Sequence, residues 1–152
     1  MTDQRAGWIR GLIEPLQVKP GSHVDLSRDF DPGARFGVRK KGDGQALLRQ
    51  GVELLAEYQD RLAAQDTYDV LVVLQALDAA GKDGTIRHVM SGVNPQGVSV
   101  SSFKAPSAAE LGHDYLRRHA RRLPARGETG IFNRSHYEVL IPGSLARPAR
   151  RP

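Results

Sequence analysis

Nothing constrains this chain more than the order of residue types in "DVLVVLQALDAAGKDGTIRHV", residues 69–89. A Val- and Leu-rich apolar run occupies 69–77. Its length suits a fully buried strand of a parallel sheet, where both faces are covered. A Gly-Lys pair follows, and a helical pattern starts at once. A strand that turns through glycine into a helix N-terminus makes an anion cradle: backbone N–H groups converge and the helix dipole adds positive potential. In this reading Gly81 lets the backbone approach a phosphate, and Gly84 adds freedom to the turn. Lys82 reaches the outer phosphate oxygens. Thr85 caps the helix or stays near a bound ion. Ala76 stands where such loops usually have their first glycine, and Asp83 where they have Ser or Thr. The alternative is a plain Gly-rich turn with Lys82 at the surface.

Two carboxylates in the loop, Asp78 and Asp83, sharpen the expectation. They repel a bare phosphate unless a cation lies between. Mg²⁺ prefers hard oxygen ligands and keeps phosphates as co-ligands. The pattern therefore predicts a metal-bridged phosphate, or an acid/base role for one aspartate.

The flanking sequence supplies the frame. Residues 1–44 are rich in Gly, Pro, Asp and basic residues and read as an extended, turn-punctuated arm. Residues 45–64 place Leu48, Val52, Leu55, Tyr58 and Leu62 near a 3.6 period, a helix. "GVSVSSF", 97–103, alternates like a strand. Ser107 and Glu110 form a capping-box pattern that opens a helix running to Pro124, with Ala108, Leu111, Tyr115 and Leu123 on its apolar side. "TGIFN", 129–133, is a third short strand. This alternation predicts an α/β fold: a small parallel sheet of three strands, right-handed crossovers and flanking helices. The organisation expected is an arm over 1–44, a partial domain over 45–141 and an irregular basic tail over 142–152.

Charge points to the partner class. The chain carries a net +5, yet residues 104–152 hold ten of its 22 Lys/Arg and only four of its 17 Asp/Glu. A basic C-terminal third fits a polyanion; a solvated arginine face is the alternative. Arg117, Arg118, Arg121, Arg122 and Arg126 are the candidates, the first four on one broad helical face. Basic residues without interleaved aromatics give no nucleic-acid module. No apolar run approaches the ~20 residues that span a bilayer. The N-terminus lacks the apolar core of a signal peptide. Without cysteine there are no thiolate metal sites or cysteine nucleophiles, and a cytoplasmic setting is expected. His88, His113, His119 and His136 show no ligand spacing, and His88 and His136 are read as packing or supporting groups.

Three long stretches carry a resemblance. "LQALDAAGKDGTIRHVMSGVNPQGV" looks like the Walker A segment and following helix of the type 2 polyphosphate kinase family, a branch of the P-loop kinases. "SFKAPSAAELGHDYLRRHARRLPARGETGIFNRSHYE" is similar to that family's next helix and Walker B region. "VKPGSHVDLSRDFDP" resembles its N-terminal arm, so the likeness runs from about residue 17 to residue 140. It implies a P-loop kinase-like fold and phosphoryl transfer between inorganic polyphosphate and nucleotides such as ADP and ATP, with Mg²⁺ or Mn²⁺. Carried over, Asp78 activates the acceptor phosphate or helps hold metal, and Lys82 is the Walker A lysine. Arg134 is the phosphate-binding arginine of the Walker B segment. Asn133 stands where one branch has aspartate. "FNRSHYE" resembles the branches that accept nucleoside mono- or diphosphates. Gly81, Lys82, Asp83, Gly84, Thr85, Asn133 and Arg117, Arg118, Arg121 and Arg122 form the expected phosphate-binding set. Asp78, Asp83 and Glu138 form the expected metal set. Family members assemble as homo-oligomers, and no nucleic acid or membrane is implied.

The likeness stops after Ile141. The family continues into a basic helical lid and further strands, and one acidic position near Glu138 is missing. A frame-shifting deletion produces such a break. The expectations are therefore a kinase whose activity is in doubt without the lid, a fragment that binds polyphosphate without turnover, or an ATP-dependent P-loop nucleoside kinase. A chain that does not fold stably is a further alternative.

Overall fold

The computed structural model describes residues 7, 10, 11, 13–25, 27–31, 33–36, 38–77 and 79–139, with 138 and 139 described through their backbone. The chain divides into two compact units, Met1–Ala46 and Leu47–Pro152. In the first, Asp carboxylates organise successive turns. Asp25 Oδ1 accepts from the Ser27 N–H (3.0 Å) and Asp31 Oδ1 from the Gly33 N–H (2.8 Å).

The first long helix, α1, is Lys41–Gln65. It starts four residues before the expected position. Asp43 in its first turn suits the positive end of the dipole, which offsets the poor propensity of Gly42 and Gly44. The elements that follow are β1 (Val70–Leu74), α2 (Lys82–Val89), β2 (Val98–Ser102), α3 (Ala108–Leu111), α4 (Arg117–Ala120) and β3 (Thr129–Asn133). All three strands run parallel, as the alternation predicts, and their order is β1-β3-β2. The central strand is the core: every residue of β3 is buried, and Ile131 and Phe132 are joined by Phe103 and Val93. Gly130 is required there, because a Cβ would sit 2.8 Å from Pro124 Cδ.

Two expectations need correction. β1 is not fully buried: Val70 to Val73 are each more than a third exposed. The reason is its place in the sheet. It lies at an edge, and among the described residues only β3 pairs with it. An apolar cleft of about 480 Å³ also lies along it, lined by Leu55 and Leu62 of α1, Val72, and Ile86 and Val89 of α2. The helix expected over 107–123 is the second correction. The capping box forms as predicted, with Ser107 Oγ accepting from the Glu110 N–H and Glu110 Oε2 from the Ser107 N–H, but α3 ends at Leu111. Asp114 Oδ1 then accepts from the Leu116 N–H (2.9 Å), which restarts the chain as the separate turn α4. The face changes accordingly: Leu111, Tyr115 and Leu123 are more than half exposed, and His119 is the buried residue.

His119 packs on Phe103 (ring centroids 4.1 Å), with Phe132 and His136 at 6.0 and 5.8 Å. Burial pushes its imidazole below the ordinary value of 6.5, opposed by the bond to the Tyr115 carbonyl and reinforced by the charges of Arg118 and His136. The folded state therefore binds fewer protons than the unfolded one as pH drops. His119's contribution is complete above 6.5 and is lost as pH falls through its lower folded value. Unfolding midpoints at about pH 7.5 and about pH 5.5 should fall less steeply in His119→Phe than in the wild type. An unchanged slope would remove His119 from the acid response.

No helix among the described residues is long and apolar enough to cross a membrane.

Candidate functional site

The chain leaves β1 through Gln75, Ala76 and Leu77 and returns to helix at Lys82. Gly81 has φ +84°, a left-handed conformation that favours glycine, and it aims the chain into α2. Lys82 Nζ curls back to donate to the carbonyls of Ala76 (2.7 Å) and Leu77 (2.9 Å). The ammonium thus braces the loop.

The far wall comes from the C-terminal ends of the other two strands. A cavity of about 570 Å³ is bounded by Ala79 to Asp83 on the loop side, Ser102 to Lys104 after β2, and Asn133 and Arg134 after β3. Parallel register puts all three strand ends on one edge, where ligands bind in open α/β sheets. Lys82, Lys104 and Arg134 give this cavity three cations against one described carboxylate, Asp83. The bottom is polar: buried Asn133 donates through Nδ2 to Asp83 Oδ1, with Ser102 Oγ at 3.5 Å. Asn133 Oδ1 is buried and has no hydrogen-bond partner among the described residues. Arg134 has φ +75°, and its N–H donates to the Leu74 carbonyl (3.0 Å).

Of the expected residues, the structure brings Gly81, Lys82, Asp83, Asn133 and Arg134 together. Thr85 is elsewhere: its hydroxyl donates to the Gly81 carbonyl (3.2 Å) and it lines the apolar cleft. Gly84 lies inside α2 rather than in the turn, so its freedom is not used. Asp78 lies outside the described residues, as does the side chain of Glu138. Among the described residues no three His, Cys, Asp or Glu form a metal-holding group.

Arg117, Arg118, Arg121 and Arg122 line one cavity, but their roles differ. Arg118 is committed to the fold: its Nη2 donates to the Lys104 carbonyl (3.0 Å), its guanidinium lies 5.2 Å from the Phe103 ring, and Nε is 3.5 Å from Glu110. Arg117, Arg121 and Arg122 are exposed, and with Arg118 they border a second cavity of about 380 Å³. Glu110, His113 and Asp114 share that rim.

Sequence reasoning missed Lys104 and Ser102. One signal was available: both sit at the carboxyl end of a predicted parallel strand, the edge that already holds the loop.

Residues 38–142 match the family model described as Polyphosphate kinase 2. An ADP-polyphosphate phosphotransferase of Rhodopseudomonas palustris is 58% identical over 129 residues, 83% of this chain and 43% of that protein. An AMP/ADP-polyphosphate phosphotransferase of Meiothermus ruber is 48% identical over 132 residues, 85% of this chain and 48% of that protein. The crystal structure of Polyphosphate Kinase 2 from Arthrobacter aurescens TC1 superposes with a TM-score of 0.76 at 39% identity, covering 85% of this chain and 47% of that one. The chain spans less than half the length of these relatives.

Proposed function

Because the chain belongs to the Polyphosphate kinase 2 family, we propose that its cavity serves phosphoryl transfer between inorganic polyphosphate and a nucleoside mono- or diphosphate. One observation carries this reading: Lys82, Lys104 and Arg134 converge with a left-handed Gly81 on one cavity at the carboxyl edge of a parallel sheet. In the reaction, an oxygen of the nucleotide's terminal phosphate bonds to the end phosphorus of polyphosphate. The bridging P–O bond breaks, and the chain departs one phosphate shorter. The protein's task is positioning and charge neutralisation. Lys82 and Arg134 hold non-bridging oxygens, with Lys104 as a third cation on the same wall. Lys82 reaches them by exchanging its bonds to the loop carbonyls for phosphate. Asp78 orients the acceptor phosphate. Arg117, Arg121 and Arg122 hold the trailing polyanion.

A divalent cation fits the donor set. Asp83 supplies a carboxylate oxygen, and Asn133 Oδ1 is an unpartnered oxygen beside it, both hard donors of the kind Mg²⁺ selects. Asp78 and Glu138 complete the proposed set. When bound, Mg²⁺ or Mn²⁺ would neutralise charge between these carboxylates and the phosphates. The setting that supplies nucleotides and polyphosphate together is the cytoplasm, and assembly as a homo-oligomer belongs to the same reading.

The test is ATP formation from ADP and polyphosphate with Mg²⁺. Steady ATP production is the expected result. Phosphorylation supported by ATP but not by polyphosphate would assign the site to an ATP-dependent nucleoside kinase. Binding without turnover is favoured by one observation, the Lys82 ammonium bonded to its own loop. Polyphosphate affinity that falls with salt, with no ATP formed, would establish it. Absence of both binding and turnover would end the proposal.

A further inference from the structure

We infer that Gln75 is a positioning residue for this site: its side-chain carbonyl clamps the turn that presents Arg134, an inference that rests on the phosphate-binding reading above. Gln75 follows β1 directly and does not line the loop cavity. Its Oε1 accepts two hydrogen bonds from one residue, the Ser135 N–H (3.0 Å) and the Ser135 hydroxyl (2.8 Å). Ser135 is buried, and its Oγ in turn accepts from the Tyr137 N–H (3.2 Å). The residue after Arg134 is thus tied to the end of β1, and Arg134 itself is tied by its N–H to Leu74.

The need for a clamp follows from strand geometry. Successive side chains of a strand point to opposite faces. Asn133 and Arg134 are successive, yet both line the same cavity. β3 ends at Asn133, and the backbone leaves the extended conformation at the next residue, where Arg134 has the left-handed φ of +75°. A non-glycine residue holds that conformation only when its surroundings over-determine it. Two contacts flank it: the Leu74 carbonyl accepts from the Arg134 N–H, and Gln75 Oε1 holds the next residue, Ser135. Without the second, the turn relaxes toward extended backbone and carries the guanidinium off the cavity wall.

Two readouts test this on the intact chain: tripolyphosphate binding by calorimetry and hydrogen exchange of the Ser135 amide. Gln75→Met keeps length and removes the acceptor. It should weaken binding about tenfold and speed Ser135 exchange, the scale typical of supporting contacts one step behind a ligand. Gln75→Glu keeps an oxygen acceptor and should restore both. In an Arg134→Ala background, Gln75→Met should weaken binding no further. Ser135→Ala, which keeps the backbone bond to Gln75 and removes the two hydroxyl bonds, to Gln75 and from Tyr137, stands in should Gln75→Met fail to fold. The inference is overturned if Gln75→Met, or Ser135→Ala in its place, binds like the wild type. It is also overturned if the loss persists in full without Arg134, or if Ser135 exchange does not change. A wild type that binds no tripolyphosphate would instead overturn the phosphate-binding reading, and the clamp's role with it.

Discussion

Lys82→Ala is expected to lower polyphosphate-dependent ATP formation by about a hundred- to a thousand-fold, the scale of losing one preorganised charge-stabilising donor. The lysine has two tasks that alanine cannot perform. At rest its ammonium closes the loop by donating to the Ala76 and Leu77 carbonyls. With substrate present it would supply positive charge to the transferring phosphoryl group. Loss of the first task is inexpensive, because the loop carbonyls can turn to water; a net hydrogen bond is worth about 1 kcal/mol. The thermal midpoint should therefore move little while turnover collapses. Lys82→Arg should rescue poorly, since a planar fork cannot make the same two close contacts inside the turn. Initial rates of ATP formation together with an unfolding curve decide the matter. A variant that keeps full turnover would show that the loop does not hold the reacting phosphate.

The second large effect is on stability. Phe132→Ala should cost about 3–5 kcal/mol, the range for emptying a buried aromatic site. Phe132 lies in the central strand with only 4% of its surface exposed. Its ring meets Phe103 edge-on at 4.9 Å and faces His119. Few other large side chains in the described residues are buried, so little can collapse into the gap. Domains are stable by only about 5–15 kcal/mol, so this one change takes a large share. A urea titration should show a lower midpoint with an unchanged slope. A loss under about 1 kcal/mol would mean that β3 is not the organising strand.

The loop and its lysine were legible because their signal is local. A Val-rich run, a glycine and a helix start lie within residues 69–89, and the order of types alone gives strand, turn and helix. The Ser107–Glu110 capping box was legible for the same reason and forms as written. What failed were statements about faces. Period alone placed Leu111, Tyr115 and Leu123 on a buried side, because it assumed one continuous helix. The Asp114 turn broke that helix, and Arg118 also took contacts with Lys104, Phe103 and Glu110.

The sequence by itself determined the order of the elements, their alternation into a parallel sheet and the glycine turn that opens α2. These depend on neighbours a few residues apart, where backbone geometry and hydrophobic period act directly. Tertiary structure alone decided that β3 is central and β1 lies at an edge, which leaves a strand apolar on both faces open to solvent. It also brought Ser102 and Lys104 to the cavity, turned Thr85 away from it, and tied Gln75 to Ser135 across 60 residues of chain. Such contacts depend on strand order and register, which short-range chemistry does not encode.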